Sequence, residues 1–172
     1  LGQIRDVLGE FEDMQGLRVM ITGGEPLLHR DFEAVNEVLS EYAVRKALFT
    51  NGILLRKETL RSLKVDEIQI SIDGLETAHD ALRGKGTFFR AMKAIDDSLQ
   101  AGFDISISTM VHRGNLADFD EMEHLFKHMG IKEWTVDVPC SAGRLRENAE
   151  FFVSPEEGGK YLGYGYGGGL HA

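Results

Sequence analysis

The stretch Glu67-Ile68-Gln69-Ile70-Ser71-Ile72-Asp73-Gly74 puts isoleucine at every second position, sets a polar side chain between, and stops at glycine. Successive side chains of a strand point to opposite faces, so this is a strand with one apolar and one polar face. The alternation returns in Ile105 and Ile107 against Ser106 and Ser108, and in Trp134, Val136 and Val138 against Thr135 and Asp137. Strands are therefore expected at Leu17 to Thr22, Lys46 to Thr50, Glu67 to Asp73, Asp104 to Met110 and Trp134 to Val138. Helical periods lie between them. Phe88, Ala91, Met92, Ile95 and Leu99 make one stripe over Phe88 to Ala101, with Gly102 as the stop; Met122, Leu125, Phe126 and Met129 make another that ends at Gly130. Asp31 is placed to cap a helix carrying Phe32, Val35, Val38, Leu39 and Tyr42, and Leu1 to Met14 holds one more.

Strand and helix in alternation build βαβ units, and hence a parallel sheet. In a doubly wound sheet both faces are covered, and strands read as continuous apolar runs. These strands alternate instead. The fold class expected is α/β: an open, partial TIM-like barrel with helices outside and a polar, ligand-holding interior. Five strands do not close such a barrel.

The 172 residues carry 19 Lys+Arg against 28 Asp+Glu, a net charge of −9, with 42% hydrophobic residues, which fits one ordinary globular domain. With no basic cluster, a nucleic-acid face and an anionic membrane surface are not expected. No apolar run reaches the roughly 20 residues that span a bilayer, and the N-terminus lacks a signal-peptide plan, so a cytoplasmic protein is expected. The single cysteine, Cys140, excludes an intrachain disulfide and a cysteine-only metal site within these residues. A start without Met and an end in Gly167-Gly168-Gly169-Leu170-His171-Ala172 read as a piece of a longer protein.

Parallel barrels build their sites from the loops after the strands. Here these are Thr22-Gly23-Gly24-Glu25-Pro26, Thr50-Asn51-Gly52, Ser71-Ile72-Asp73-Gly74, Met110-Val111-His112-Arg113-Gly114-Asn115 and Pro139-Cys140-Ser141-Ala142-Gly143-Arg144. Each alone is an ordinary turn, and five on one rim point to a site. Paired glycines let backbone approach a ligand, and Glu25 adds a carboxylate beside exposed carbonyls. Such acceptors recognise an ammonium rather than a phosphate, and no Walker lysine follows. Asn51, Ser71 and Arg83 would supply donors for a carboxylate, so the rim could hold a zwitterionic amino-acid moiety.

At these residues, together with His79-Asp80-Ala81-Leu82-Arg83-Gly84, the sequence resembles the radical S-adenosylmethionine superfamily over about residues 17–144, and most of all its cofactor- and peptide-maturing branch with a cysteine-rich C-terminal extension. The resemblance implies a partial barrel of six βα units, with the first strand absent here. It implies that Gly23, Gly24 and Glu25 contact the methionine amino group of S-adenosylmethionine. Asn51, Ser71 and Arg83 would face its carboxylate or ribose, and Asp73 also falls at a cofactor-binding position. Val111 and Asn115 would border the adenosine, and Gly143-Arg144 would close the last loop. It further implies a 4Fe-4S cluster on a CxxxCxxC loop, the electron source that cleaves the cofactor to a 5′-deoxyadenosyl radical. That motif is not in this chain, so no metal ligand and no catalytic residue is expected in it, and the piece alone is expected to be inactive. The whole enzyme would take a small-molecule or peptide substrate and an electron donor. Residues 1–153 would be the truncated barrel, and 154–172 a helix and Gly-rich tail leading to the cysteine-rich extension.

Other features read more plainly. His124 and His128 have zinc spacing but face away from the buried stripe, so they are expected on the surface. His79 and Asp80 read as loop structure, and the Gly163 to Gly167 tail as a disordered linker. Two rival functions stay open at this point: a cluster-independent barrel lyase or aldolase using Glu25 or Asp73 as acid and base, and a non-catalytic scaffold whose rim grips a peptide or subunit.

Overall fold

The structure, a computed structural model, describes residues 1–139 and 148–167. In chain order come α1 (Gly2–Asp13), β1 (Arg18–Ile21), α2 (Phe32–Leu39), β2 (Arg45–Thr50), α3 (Lys57–Ser62), β3 (Glu67–Ser71), α4 (Glu76–Arg83), α5 (Thr87–Gln100), β4 (Asp104–Met110), α6 (Phe119–His128), β5 (Glu133–Asp137) and α7 (Pro155–Gly159). The strands form one open sheet in the order β1-β2-β3-β4-β5, with every neighbouring pair parallel. A strictly sequential order is that of a barrel being wound, whereas doubly wound sheets reverse part-way across. The expectation of an open α/β sheet of βα units holds, with strand ends moved by one or two residues.

Register sets Ile68 beside Leu48 and Ile105, and Ile70 beside Ile107. That face meets Phe88, Ala91 and Ile95 of α5 and Met122 and Phe126 of α6 in the main core. Full burial of one such side chain is worth about 1.5–3 kcal/mol, so this layer supplies most of the stability. The opposite face is polar as expected but not uniformly wet. Glu67, Gln69 and Ser106 are buried on it. An unpaired buried carboxylate would be costly, and Glu67 avoids that by accepting from Arg18 (2.7 Å) and Ser106 (3.1 Å), with Arg45 at 3.6 Å.

Two local expectations need correction. Asp31 does precede α2, but its side chain bonds no helix N–H and lies against Arg30 at 3.3 Å instead. The Gly-rich tail is not a loose linker over its described part. Tyr166 bridges antiparallel to Trp134, and the rings of Tyr161 and Tyr164 lie tilted against Phe119, with centroids 4.7 and 5.2 Å from its own. Glycines at 163 and 165 concealed a tyrosine stripe that covers the outer side of β5 and α6.

Candidate functional site

Two ends of the sheet could carry chemistry. At the amino ends lies a cavity of about 540 Å³ whose charged walls are Arg18, Arg45, Glu67, Asp104, Lys132 and Glu133. Three cations face three carboxylates there, and they are largely spent on one another: Arg45 donates to Asp104 (3.1 Å) and Lys132 to Asp104 (3.2 Å). The Asp104 carboxyl is held below its usual range by those bonds to Lys132 and Arg45. The carboxyl ends differ, because several polar groups there have no protein partner.

The first loop leaves β1 through Gly23, at φ 152°, and Gly24. The peptide groups of these two residues make no hydrogen bond among the described residues, and a Cβ on either would meet nothing within 4 Å. Their amides and carbonyls are therefore open to a ligand at close approach. Glu25 behaves otherwise. Its Oε1 accepts from the Leu27 amide (3.2 Å) and the Thr50 hydroxyl (2.8 Å), and its Oε2 from the Asn51 amide (2.9 Å). Of about four acceptor positions on a carboxylate three are used, so Glu25 is first a brace between the β1 and β2 loops. The brace also fixes Asn51, whose Oδ1 accepts from Ile53 N (2.9 Å) while its Nδ2 stays without a protein partner.

Asn51 follows Thr50, the register partner of Ile70, and so lies beside Ser71 at the next strand end. The Ser71 hydroxyl bonds nothing among the described residues, and Ser108 and Thr135 continue its row across the polar face. Next comes Asp73, with 1% of its surface exposed, in an ion pair with Nε of Arg83. Both terminal nitrogens of Arg83 are unpaired among the described residues. Gly74 turns the chain at φ 134°, where a Cβ would stand 2.6 Å from that of Ala78, so only glycine lets α4 start this close.

Three of the expected contact residues lie under the rim rather than on it. Asp73 is enclosed, Val111 belongs to the main core, and Asn115 is wholly buried. Asn115 donates to the carbonyls of Asp73 (3.2 Å) and Met110 (2.9 Å) and accepts from His112 N (2.9 Å). Their side chains frame the loops, and the reason is geometric: each sits where a turn folds back onto the sheet. The rim residues brought together with free groups are Gly23, Gly24, Asn51, Ser71 and Arg83. Cys140, Gly143 and Arg144 fall outside the described residues.

Two histidines lie beneath the rim: His79, read from the sequence as loop structure, and His112, which that reading gave no role. His79 is buried, and its Nδ1 accepts from the Asp73 amide (3.1 Å); burial pushes its pKa down, opposed in part by the Asp73 charge. His112, also buried, has Nδ1 facing the Gly114 amide (3.2 Å) and Nε2 facing the Asp73 carbonyl (2.8 Å). Each ring nitrogen that faces an amide N–H must be the acceptor, which assigns the neutral tautomer to both rings. Asp80 accepts from Phe88 N (2.9 Å) and Thr87 Oγ1 (3.3 Å) as well as Gly86 N, and caps α5; the backbone bonds to Phe88 and Gly86 hold its pKa low. This pair thus has the structural role expected of it, but on helix α4 and not in a loop. His124 and His128 are exposed, and among the described residues no group of three His, Cys, Asp or Glu side chains could hold a metal. Among the described residues no helix is long and apolar enough to cross a membrane.

Comparison with known proteins adds the family. Residues 1–126 match the model of the Radical SAM superfamily. The chain is 35% identical over 133 residues to the mycofactocin maturase MftC of Mycolicibacterium smegmatis, covering 74% of this chain and 34% of that protein. It is 28% identical over 169 residues to the AdoMet-dependent heme synthase of Nitratidesulfovibrio vulgaris, covering 95% of this chain and 46% of that one. Streptococcus suis SuiB, solved with S-adenosylmethionine and with its precursor peptide SuiA, superposes with TM-scores of 0.70 and 0.71 at 20% identity, over 78% and 80% of this chain and 32% of SuiB in both cases. That likeness concerns the fold, a partial TIM-like barrel. These relatives are enzymes, and the chain spans between a third and a half of their length.

Proposed function

Because the chain belongs to the radical SAM superfamily, we propose that its carboxyl rim holds S-adenosylmethionine by the methionine end, within an enzyme that matures a cofactor or a peptide. The observation that carries this is the pair of unpartnered peptide groups at Gly23 and Gly24 beside three unspent donors, Asn51 Nδ2, Ser71 Oγ and the Arg83 terminal nitrogens. Acceptors next to donors suit a zwitterion. The glycine carbonyls and the remaining acceptor position on Glu25 would take the ammonium; Asn51, Ser71 and Arg83 would take the carboxylate or ribose. Val111 and Asn115, from below, would keep the β4 loop in place at the adenosine end.

When bound, S-adenosylmethionine supplies the 5′-deoxyadenosyl group from which the family's hydrogen-abstracting chemistry starts. A 4Fe-4S cluster does not fit these residues. It needs three thiolates, and the 172 residues hold one cysteine. Cluster and substrate specificity would belong to a longer polypeptide in which residues 1–153 would be the barrel portion and 154–172 the approach to a cysteine-rich extension, with an electron donor as its partner. The substrate class is a peptide or a small cofactor precursor, in the cytoplasm. A cluster-free lyase is disfavoured by the same geometry, since Asp73 is enclosed with both oxygens hydrogen-bonded and Glu25 spends three of its acceptor positions on bracing the β1 and β2 loops.

Gly24 provides the test, because its Cβ would project into open space and not into the fold. In Gly24→Val we expect an unchanged melting temperature and loss of the S-adenosylmethionine binding heat that calorimetry should give for the parent chain. Equal binding by the variant would overturn the assignment of the rim.

A further inference from the structure

Arg83 is the last residue of α4, and nothing in the helix itself fixes where its side chain goes. Asp73 does. Its Oδ2 accepts from Nε of Arg83, its Oδ1 from the Met110 amide (2.7 Å), its N–H donates to His79, and its carbonyl accepts from both His112 and Asn115. Every polar group of this residue thus has a partner inside the protein, and it is 1% exposed. A residue so enclosed cannot touch a ligand. Arg83, with 31% of its side chain exposed and two free terminal nitrogens, can.

We propose that Asp73 is the positioning residue of the rim: it anchors Arg83 by the inner nitrogen of the guanidinium and so presents the outer two to the carboxylate of an amino-acid ligand. The inference rests on the reading of the rim as the S-adenosylmethionine site. Guanidinium planarity makes this efficient, since holding Nε fixes the plane in which the other two nitrogens lie. The buried frame around Asp73 serves the same end. Met110 ends β4, His112 and Asn115 lie on the loop that follows it, and His79 lies on α4, so the anchor is referenced to β4, its loop and α4 and not to one loop alone.

A double-mutant cycle on cofactor affinity tests it. In Asp73→Asn the retained Oδ1 still accepts from Met110, while an NH2 group replaces the oxygen that faced Arg83. We expect Asp73→Asn and Arg83→Gln each to weaken S-adenosylmethionine binding by about tenfold, the scale of one charge-assisted hydrogen bond. The double variant should bind no more weakly than Arg83→Gln alone. If Asp73→Asn weakens binding equally in both backgrounds, or leaves it at the parent value, the inference is wrong. A second arm needs no change at Asp73. The parent chain should prefer S-adenosylmethionine over its decarboxylated analogue, and Arg83→Gln should abolish that preference; a preference that survives overturns the proposal. Failure of the parent chain to bind S-adenosylmethionine at all would instead sink the function assigned to the rim, and this inference with it.

Discussion

Glu25 and Asp73 are the two carboxylates a reader of the sequence would give to a ligand, and both turn inward. The difference between them and Ser71 or Asn51 is one of unspent hydrogen-bonding capacity, which chain position alone does not disclose. The same inward economy makes His79 a pH liability. Its ring is held neutral by burial, with Nδ1 accepting the Asp73 amide. An unfolded chain takes up a proton as pH falls through about 6.5, the folded one does not, and so the unfolded state binds more protons below that point. Stability should accordingly decline between about pH 7.5 and about pH 5.5, visible as a falling urea midpoint. His79→Gln should flatten that slope, and an equally steep decline in the variant would assign it to another group.

Elements are tied together by side chains whose partners are remote in sequence. Asn36, on the buried side of α2, donates to the Ser62 carbonyl (2.8 Å) and accepts from Lys64 N (2.8 Å), which clamps α2 to the end of α3. Replacing it with Ala leaves both backbone groups unpaired where water is scarce, a loss of about 2–3 kcal/mol. Chemical denaturation measures this directly, and a change below about 0.5 kcal/mol would show that water replaces the amide. Period-two alternation exposed β3, β4 and β5 before any coordinates, since the rule is local. The rim glycines were legible for the same reason. The Asn36 clamp and most of the Asp73 frame were not, because Ser62, Met110, His112 and Asn115 lie 26 to 42 residues from the side chains they meet and only folding decides them.

Across the whole molecule, the C-terminal residues 161–167 close the side of β5 with tyrosines. Trp134, the single tryptophan, sits under them with 1% exposure and lies against Phe119, Phe126, Tyr164 and Tyr166. Ending the chain at Lys160 should wet that indole and shift its emission to the red, while far-ultraviolet circular dichroism keeps the signal of the parallel sheet. An unshifted spectrum would mean that the tyrosines merely lie over an already sealed layer. This closure escaped the sequence because glycine density masked the spacing of Tyr161, Tyr164 and Tyr166. Barrel class, by contrast, followed from the mismatch between alternating strands and a doubly wound sheet, and the strand order bears it out.

That order has a consequence for synthesis. Each strand after β1 is hydrogen-bonded to the one translated just before it, so β2 to β5 all emerge to a partner already made. Assembly can proceed vectorially, every new βα unit being laid on a margin already in place. A polypeptide built like this can also be lengthened by fusion at its last margin without rethreading what has already folded.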